Sequence, residues 1–149
     1  MFFRNFMTLA IKKYPSIVLK KKSEKITEIT PEIKALAKEM QDAMVKSEGV
    51  GLAAPQVGIS KRLMVIDVAN EDEKRKPIVF INPVIVHKEG ELVGLEGCLS
   101  FPGVYFEVKR ANKITVRYQN VRAQITGSGH FCRCRPINYG NSPEQACFT

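Results

Sequence analysis

The chain has 149 residues, 44% hydrophobic and 26% charged, which is the balance of one soluble globular domain with a core of its own. Its 23 Lys and Arg against 15 Asp and Glu leave a formal charge of +8. The lysines are scattered and no aromatic residues interleave with them, so a solvated basic surface is expected rather than a specific nucleic-acid interface, with a ribosome-facing surface as the alternative. No apolar run approaches the roughly 18 residues of a spanning helix, so no membrane association is expected. The start, MFFRNFM, is interrupted by Arg4 and Asn5 and has no small-residue cleavage site, so it does not read as a signal peptide. Cysteines at 98, 132, 134 and 147 do not form a secreted disulfide pattern, and a reducing cytoplasm is the expected location.

In chain order, residues 8–29 read as a basic, mostly extended lead-in with a turn at Tyr14-Pro15. Thr30-Pro31 marks a helix start, with Thr30 as N-cap, Pro31 in the first turn and Glu32 behind it. Ile33, Leu36, Ala37, Met40 and Met44 follow at helical spacing, which predicts a helix over about 31–47 with one buried stripe. Gly49 is the natural residue just past its end.

The segment GVGLAAPQVG at 49–58 has three glycines, one proline, small apolar residues and a single uncharged hydrogen-bonding side chain, Gln56. Such a stretch suits the close approach of an extended peptide, and it equally suits a tight helix-to-strand connection that binds nothing.

Beyond it the period changes toward two. Residues 62–68, 78–86, 91–95, 104–108 and 113–119 read as strands, with a charged loop at 70–76 and a tight turn at Lys88-Glu89-Gly90. One helix followed by strands on short connections predicts an α+β fold, antiparallel sheets packed with the N-terminal helix. Residues 123–149, with glycine and proline at 127, 129, 136, 140 and 143, have neither period and are expected to be irregular.

The second informative stretch is LEGCLSFP at 95–102. A cysteine between strand signals can be a nucleophile, a metal ligand or a small buried residue, and for an isolated cysteine burial is the usual outcome. Here Glu96 stands beside Cys98, and the glycine segment lies upstream at a distance the fold can close.

GVGLAAPQ at 49–56 together with EGCLS at 96–100 closely resembles the first two signature motifs of the peptide deformylase family, and a weaker match runs from about residue 7 to 121. The resemblance implies a hydrolase that removes the formyl group from the initiator methionine of nascent polypeptides with a bound divalent metal, Fe2+ or else Zn2+. Carried over residue by residue, it implies that Cys98 is the thiolate metal ligand. Gln56 and the backbone N–H of Leu99 would donate to the developing oxyanion, a pair of donor types that suits the task. Val50 and Gly51 would pair with the extended substrate, Gly97 would line the same cleft, and Glu96 would be a buried structural carboxylate paired with Arg110. The implied partners are N-formyl-methionyl nascent peptides, and a monomer is expected.

The family's third signature, HExxH on a late helix, supplies two histidine ligands and a general acid–base glutamate. These 149 residues contain no such motif, and their histidines, His87 and His130, are too far apart for one helical face. The expected organisation is therefore an incomplete deformylase-like domain over 1–122 and a divergent tail over 123–149, the pattern of a truncated or frameshifted gene. The expected function is deformylase-like but inactive for want of HExxH, with a non-catalytic formyl-peptide-binding pseudoenzyme as the alternative. A zinc site built from Cys98 with His130, Cys132 and Cys134 is a weaker reading, because the C-x-C spacing is shorter than ordinary zinc pairs. Without the late helix, apolar strand faces are expected to be left uncovered.

Overall fold

The computed structural model of the chain describes residues 9–67 and 76–132, with 126–132 followed by their backbone alone. In chain order its elements are a 3-10 turn (Ile17–Lys20), helix α1 (Pro31–Lys46), strand β1 (Gly51–Ala53), a second 3-10 turn (Ala54–Val57), and six further strands. These are β2 (Leu63–Asp67), β3 (Pro77–Glu89), β4 (Leu92–Cys98), β5 (Phe101–Arg110), β6 (Lys113–Gln119) and β7 (Ile125–Cys132). The strands form a five-stranded sheet in the order β1-β2-β3-β6-β7 and a separate β4-β5 hairpin, with every pairing antiparallel. The fold is α+β, as the change of period predicts.

Helix α1 begins at Pro31 with Thr30 at the N-cap, although the Thr30 side chain makes no capping bond. Its stripe is core: Ala37, Met40, Ala43 and Met44 are buried, while Ile33 and Leu36 pack beside them. The stripe meets Leu52, Leu63, Val65 and Ile81 of β1, β2 and β3. Met64, Phe80 and Val116 form a second cluster with neighbouring residues of the same sheet packed against it. The alternation of Leu63 and Val65 with Met64 is the period-two pattern of a strand buried on both faces.

Three local expectations are corrected. The left-handed residue after α1 is Glu48 (φ 57), not Gly49. The turn expected at Lys88-Glu89-Gly90 falls later, because β3 runs on through Glu89 while Gly90 (φ 64) begins the reversal. Residues 125–132, expected to be irregular, form β7 along β6. The reason lies in Asn120, whose Oδ1 accepts the N–H groups of Arg122 and Gln124 and closes the preceding turn. Pairing with a formed strand then orders a segment that lacks a period of its own. The rest of the tail, 133–149, lies outside the described residues, as does most of the 70–76 loop.

The lead-in is fastened to the sheet. Glu24 forms a parallel bridge with Lys61, and Lys61 Nζ donates to its carboxylate at 2.6 Å. That hydrogen bond first, and the lysine charge second, hold the Glu24 carboxyl below its usual range. A lowered folded-state pKa contributes stability above the unfolded value and loses it as pH falls through the folded one, so this exposed contact weakens on acidification.

Asn82 does more. It sits in β3 with φ 52, its Oδ1 accepts the Ile26 N–H at 2.9 Å, and its Nδ2 donates to the Ile26 carbonyl at 2.7 Å and to Gln119 Oε1 at 2.9 Å. Asparagine tolerates this conformation far better than alanine. Asn82→Ala is expected to cost on the order of 3–5 kcal/mol in chemical denaturation, from orphaned Ile26 groups plus backbone strain. Asn82→Gly, which removes only the bonds, should cost measurably less.

Candidate active site

The two sequence motifs meet. Gln56 is buried at the end of the 3-10 turn after β1, and Cys98 ends β4, 42 residues later. Gln56 Nε2 lies 3.6 Å from Cys98 Sγ and 3.4 Å from Ser100 Oγ. Gln56 Oε1 accepts the Ala53 N–H at 2.9 Å. An amide N–H can only donate, so the atom facing Ala53 must be the oxygen. The nitrogen is thereby turned toward the cysteine.

The hairpin presents Cys98 in an unusual way. Gly97 pairs with Tyr105 but Cys98 pairs with Phe101, so residues 102–104 stand outside the register as a bulge with Gly103 at φ 76. Such a bulge bends a strand and re-aims its neighbours. Leu99 and Ser100 make the two-residue turn, and both are buried. Leu99 belongs to the same core cluster as α1 and β1. Gly49 packs so close to it that a Cβ there would stand 3.0 Å from Leu99 Cδ1, while its N–H closes the end of α1 by donating to the Met44 carbonyl at 3.0 Å.

Glu96 is buried and paired with Arg110 across the hairpin, as expected: Nε donates to Oε1 at 3.1 Å and Nη2 to Oε2 at 3.0 Å. This forked geometry is the strong form of the ion pair.

Of the remaining expected positions, Gly51 is buried in β1, the edge strand, Val50 is exposed just before it, and Gly97 is buried next to Cys98. His87 is an exposed residue of β3. Two features carried no expectation. Ser100 reaches Gln56, although it stands in the EGCLS string itself. The lead-in also touches both motifs, since the Lys12 N–H donates to the Gln56 carbonyl at 2.6 Å and the Tyr14 N–H to the Ser100 carbonyl at 2.9 Å. Backbone contacts of this kind leave no mark in side-chain patterns.

The polypeptide deformylase family model matches residues 8–128. The chain belongs to the peptide deformylase family. It is 48% identical over 115 residues to the peptide deformylase of Acidobacterium capsulatum, covering 77% of this chain and 68% of that one. It is 46% identical over 117 residues to peptide deformylase 1 of Bacillus anthracis, covering 78% and 73%. Among solved structures, the peptide deformylase of Thermotoga maritima superposes with a TM-score of 0.75 at 38% identity, covering 81% and 80%. That of Acinetobacter baumannii superposes with a TM-score of 0.77 at 29% identity, covering 84% of each chain.

Peptide deformylases are metal-dependent enzymes that act on nascent formyl-peptides. Among the described residues no three His, Cys, Asp or Glu side chains converge on a common point, and Cys98 supplies one sulfur. A catalytic site normally needs three protein ligands, so these residues do not by themselves make up the donor set. Arg110→Ala is expected to destabilise the fold by on the order of 3 kcal/mol, because it leaves a buried carboxylate unpaired. Thermal unfolding measures this, and Arg110→Lys should recover only part of the loss.

Proposed function

We propose that the cleft between β1 and the β4-β5 hairpin binds the formylated N-terminus of an extended peptide, and that these 149 residues do not hydrolyse it. In this reading Val50 and Gly51 pair with the peptide backbone, Gly97 lines the opposite wall, and Gln56 with the Leu99 N–H donates to the formyl oxygen. Cys98 is the thiolate that a divalent ion, Fe2+ or Zn2+, would need. The observation that carries the reading is the Gln56 amide, fixed by Ala53 with its nitrogen toward Cys98. β1 at a sheet edge supports it, since an edge strand is where an extended peptide adds.

The sequence supports the absence of turnover in this reading. A metal ion lowers the pKa of bound water from about 15.7 to about 7, and HExxH would supply two of the three ligands and the acid–base carboxylate. The chain contains no HExxH. One oxyanion donor is worth about 10²–10³ in rate, far less than the loss of the activated water. Binding without cleavage is thus favoured over catalysis. A cytoplasmic monomer meeting nascent chains near the ribosome is the setting that this substrate implies.

Calorimetric titration with formyl-Met-Ala-Ser and unformylated Met-Ala-Ser tests the reading. The formylated peptide is expected to bind about tenfold more tightly, one hydrogen bond to the formyl oxygen being worth about 1 kcal/mol and its burial adding to that. Gln56→Ala should erase the preference, and no formate should be released. Equal affinities would overturn the binding half. Formate release at an ordinary enzymatic rate would overturn the other.

A further inference from the structure

Gln56 has two amide protons and two acceptors, Ser100 Oγ at 3.4 Å and Cys98 Sγ at 3.6 Å. The oxygen, tied to the Ala53 N–H, fixes which way round the amide sits. It restrains the tilt of the amide plane only within hydrogen-bond tolerance, because the terminal torsion of a carboxamide is broad. A second contact is needed, and Ser100 provides it. Ser100 is only 2% exposed, so water cannot readily take its place as acceptor.

The backbones of both residues are held independently of these side chains. The lead-in donates from Lys12 to the Gln56 carbonyl at 2.6 Å and from Tyr14 to the Ser100 carbonyl at 2.9 Å, so one short segment spans both. The Tyr14 ring stacks on Phe101, the residue after Ser100, with centroids 5.1 Å apart. The Gln56–Ser100 separation is therefore set by the main chain, and the hydroxyl is the variable part.

We infer that Ser100 is a positioning residue: its hydroxyl oxygen holds one Nε2 proton of Gln56 and so aims the other at the cleft beside Cys98. This rests on the reading of the cleft as a formyl-peptide site, where the aimed proton is the one a formyl oxygen would receive. Ser100 would then act through Gln56 without touching the ligand, and its loss should reduce discrimination between formylated and unformylated peptides more than affinity for the peptide backbone.

Two measurements on the full 149-residue chain separate the inference from the reading beneath it. In the absence of peptide, the side-chain NH₂ resonances of Gln56 are compared in wild type, Ser100→Ala and Ser100→Thr. The alanine variant should show faster solvent exchange of one amide proton by several-fold, and threonine should restore the wild-type rate. In titrations, Ser100→Ala should lower the formyl preference about fivefold, the scale of one hydrogen bond, with affinity for the unformylated peptide unchanged. If Ser100→Ala does not fold, Ser100→Cys under reducing conditions replaces it, because sulfur, though larger than oxygen, fills the site and is a weak acceptor. Unchanged Gln56 resonances in the folded variant would overturn the positioning role. A wild type without formyl preference would overturn the reading of the cleft, while the resonances would still decide what Ser100 does.

Discussion

The Gln56 carboxamide is where two separately built pieces of the fold are joined. On one side it belongs to the five-stranded sheet, through the turn that follows β1 and through the Ala53 N–H. On the other it meets the tip of the β4-β5 hairpin, whose strands make no ladder with that sheet. A two-stranded hairpin alone is marginal in water. Here its tip is held by Leu99 inside the helix-packed core, its body by the Glu96–Arg110 pair, and its turn by the Tyr14 N–H. The polar contacts at Gln56 then sit on a frame that core packing has already fixed, so long and weak bonds of 3.4 and 3.6 Å suffice to orient one amide.

What was legible in the sequence is what side-chain chemistry writes locally. Thr30-Pro31 and the stripe from Ile33 to Met44 gave α1 nearly to the residue, because capping and periodicity are properties of neighbours in the chain. The alternation in residues 113–119 gave β6 for the same reason. β7 was not legible, since its order comes from pairing with β6 after the Asn120 turn and not from its own residues. Gly49 stands just past the helix, where its N–H donates to the Met44 carbonyl, and it also packs against the Leu99 side chain fifty residues away, a contact that no local rule contains. At the site, Gln56 and Cys98 were found as motifs, and Glu96–Arg110 as a pair. Ser100 and the lead-in clamp were missed, because a buried hydroxyl looks like any serine and a backbone donor looks like nothing at all.

The hairpin also carries a visible liability. Val93, Val104, Tyr105 and Phe106 are exposed along it, Phe106 by 61%, and Val84, Ile85 and Val86 are exposed on β3. Apolar side chains exposed on the hairpin and on β3 lower solubility or invite a covering surface. The bulge at 102–104 and the charged residues Lys109, Arg110 and Glu107 temper this, since twisted and charged edges resist edge-to-edge pairing. The same bulge that aims Cys98 thus also interrupts the flat apolar ribbon on which another chain would pair.

These contacts bear on how recognition relates to catalysis in this chain. The contacts described around Gln56, Leu99 and Ser100 are hydrogen bonds, an ion pair and core packing. In many metal sites the ion organises its surroundings, so losing it unfolds them. In the proposed reading Gln56, the edge strand and the hairpin tip shape the cleft, whereas water activation would fall to HExxH, which these 149 residues do not contain. The proposal of binding without turnover rests on that division of labour between shape and water activation.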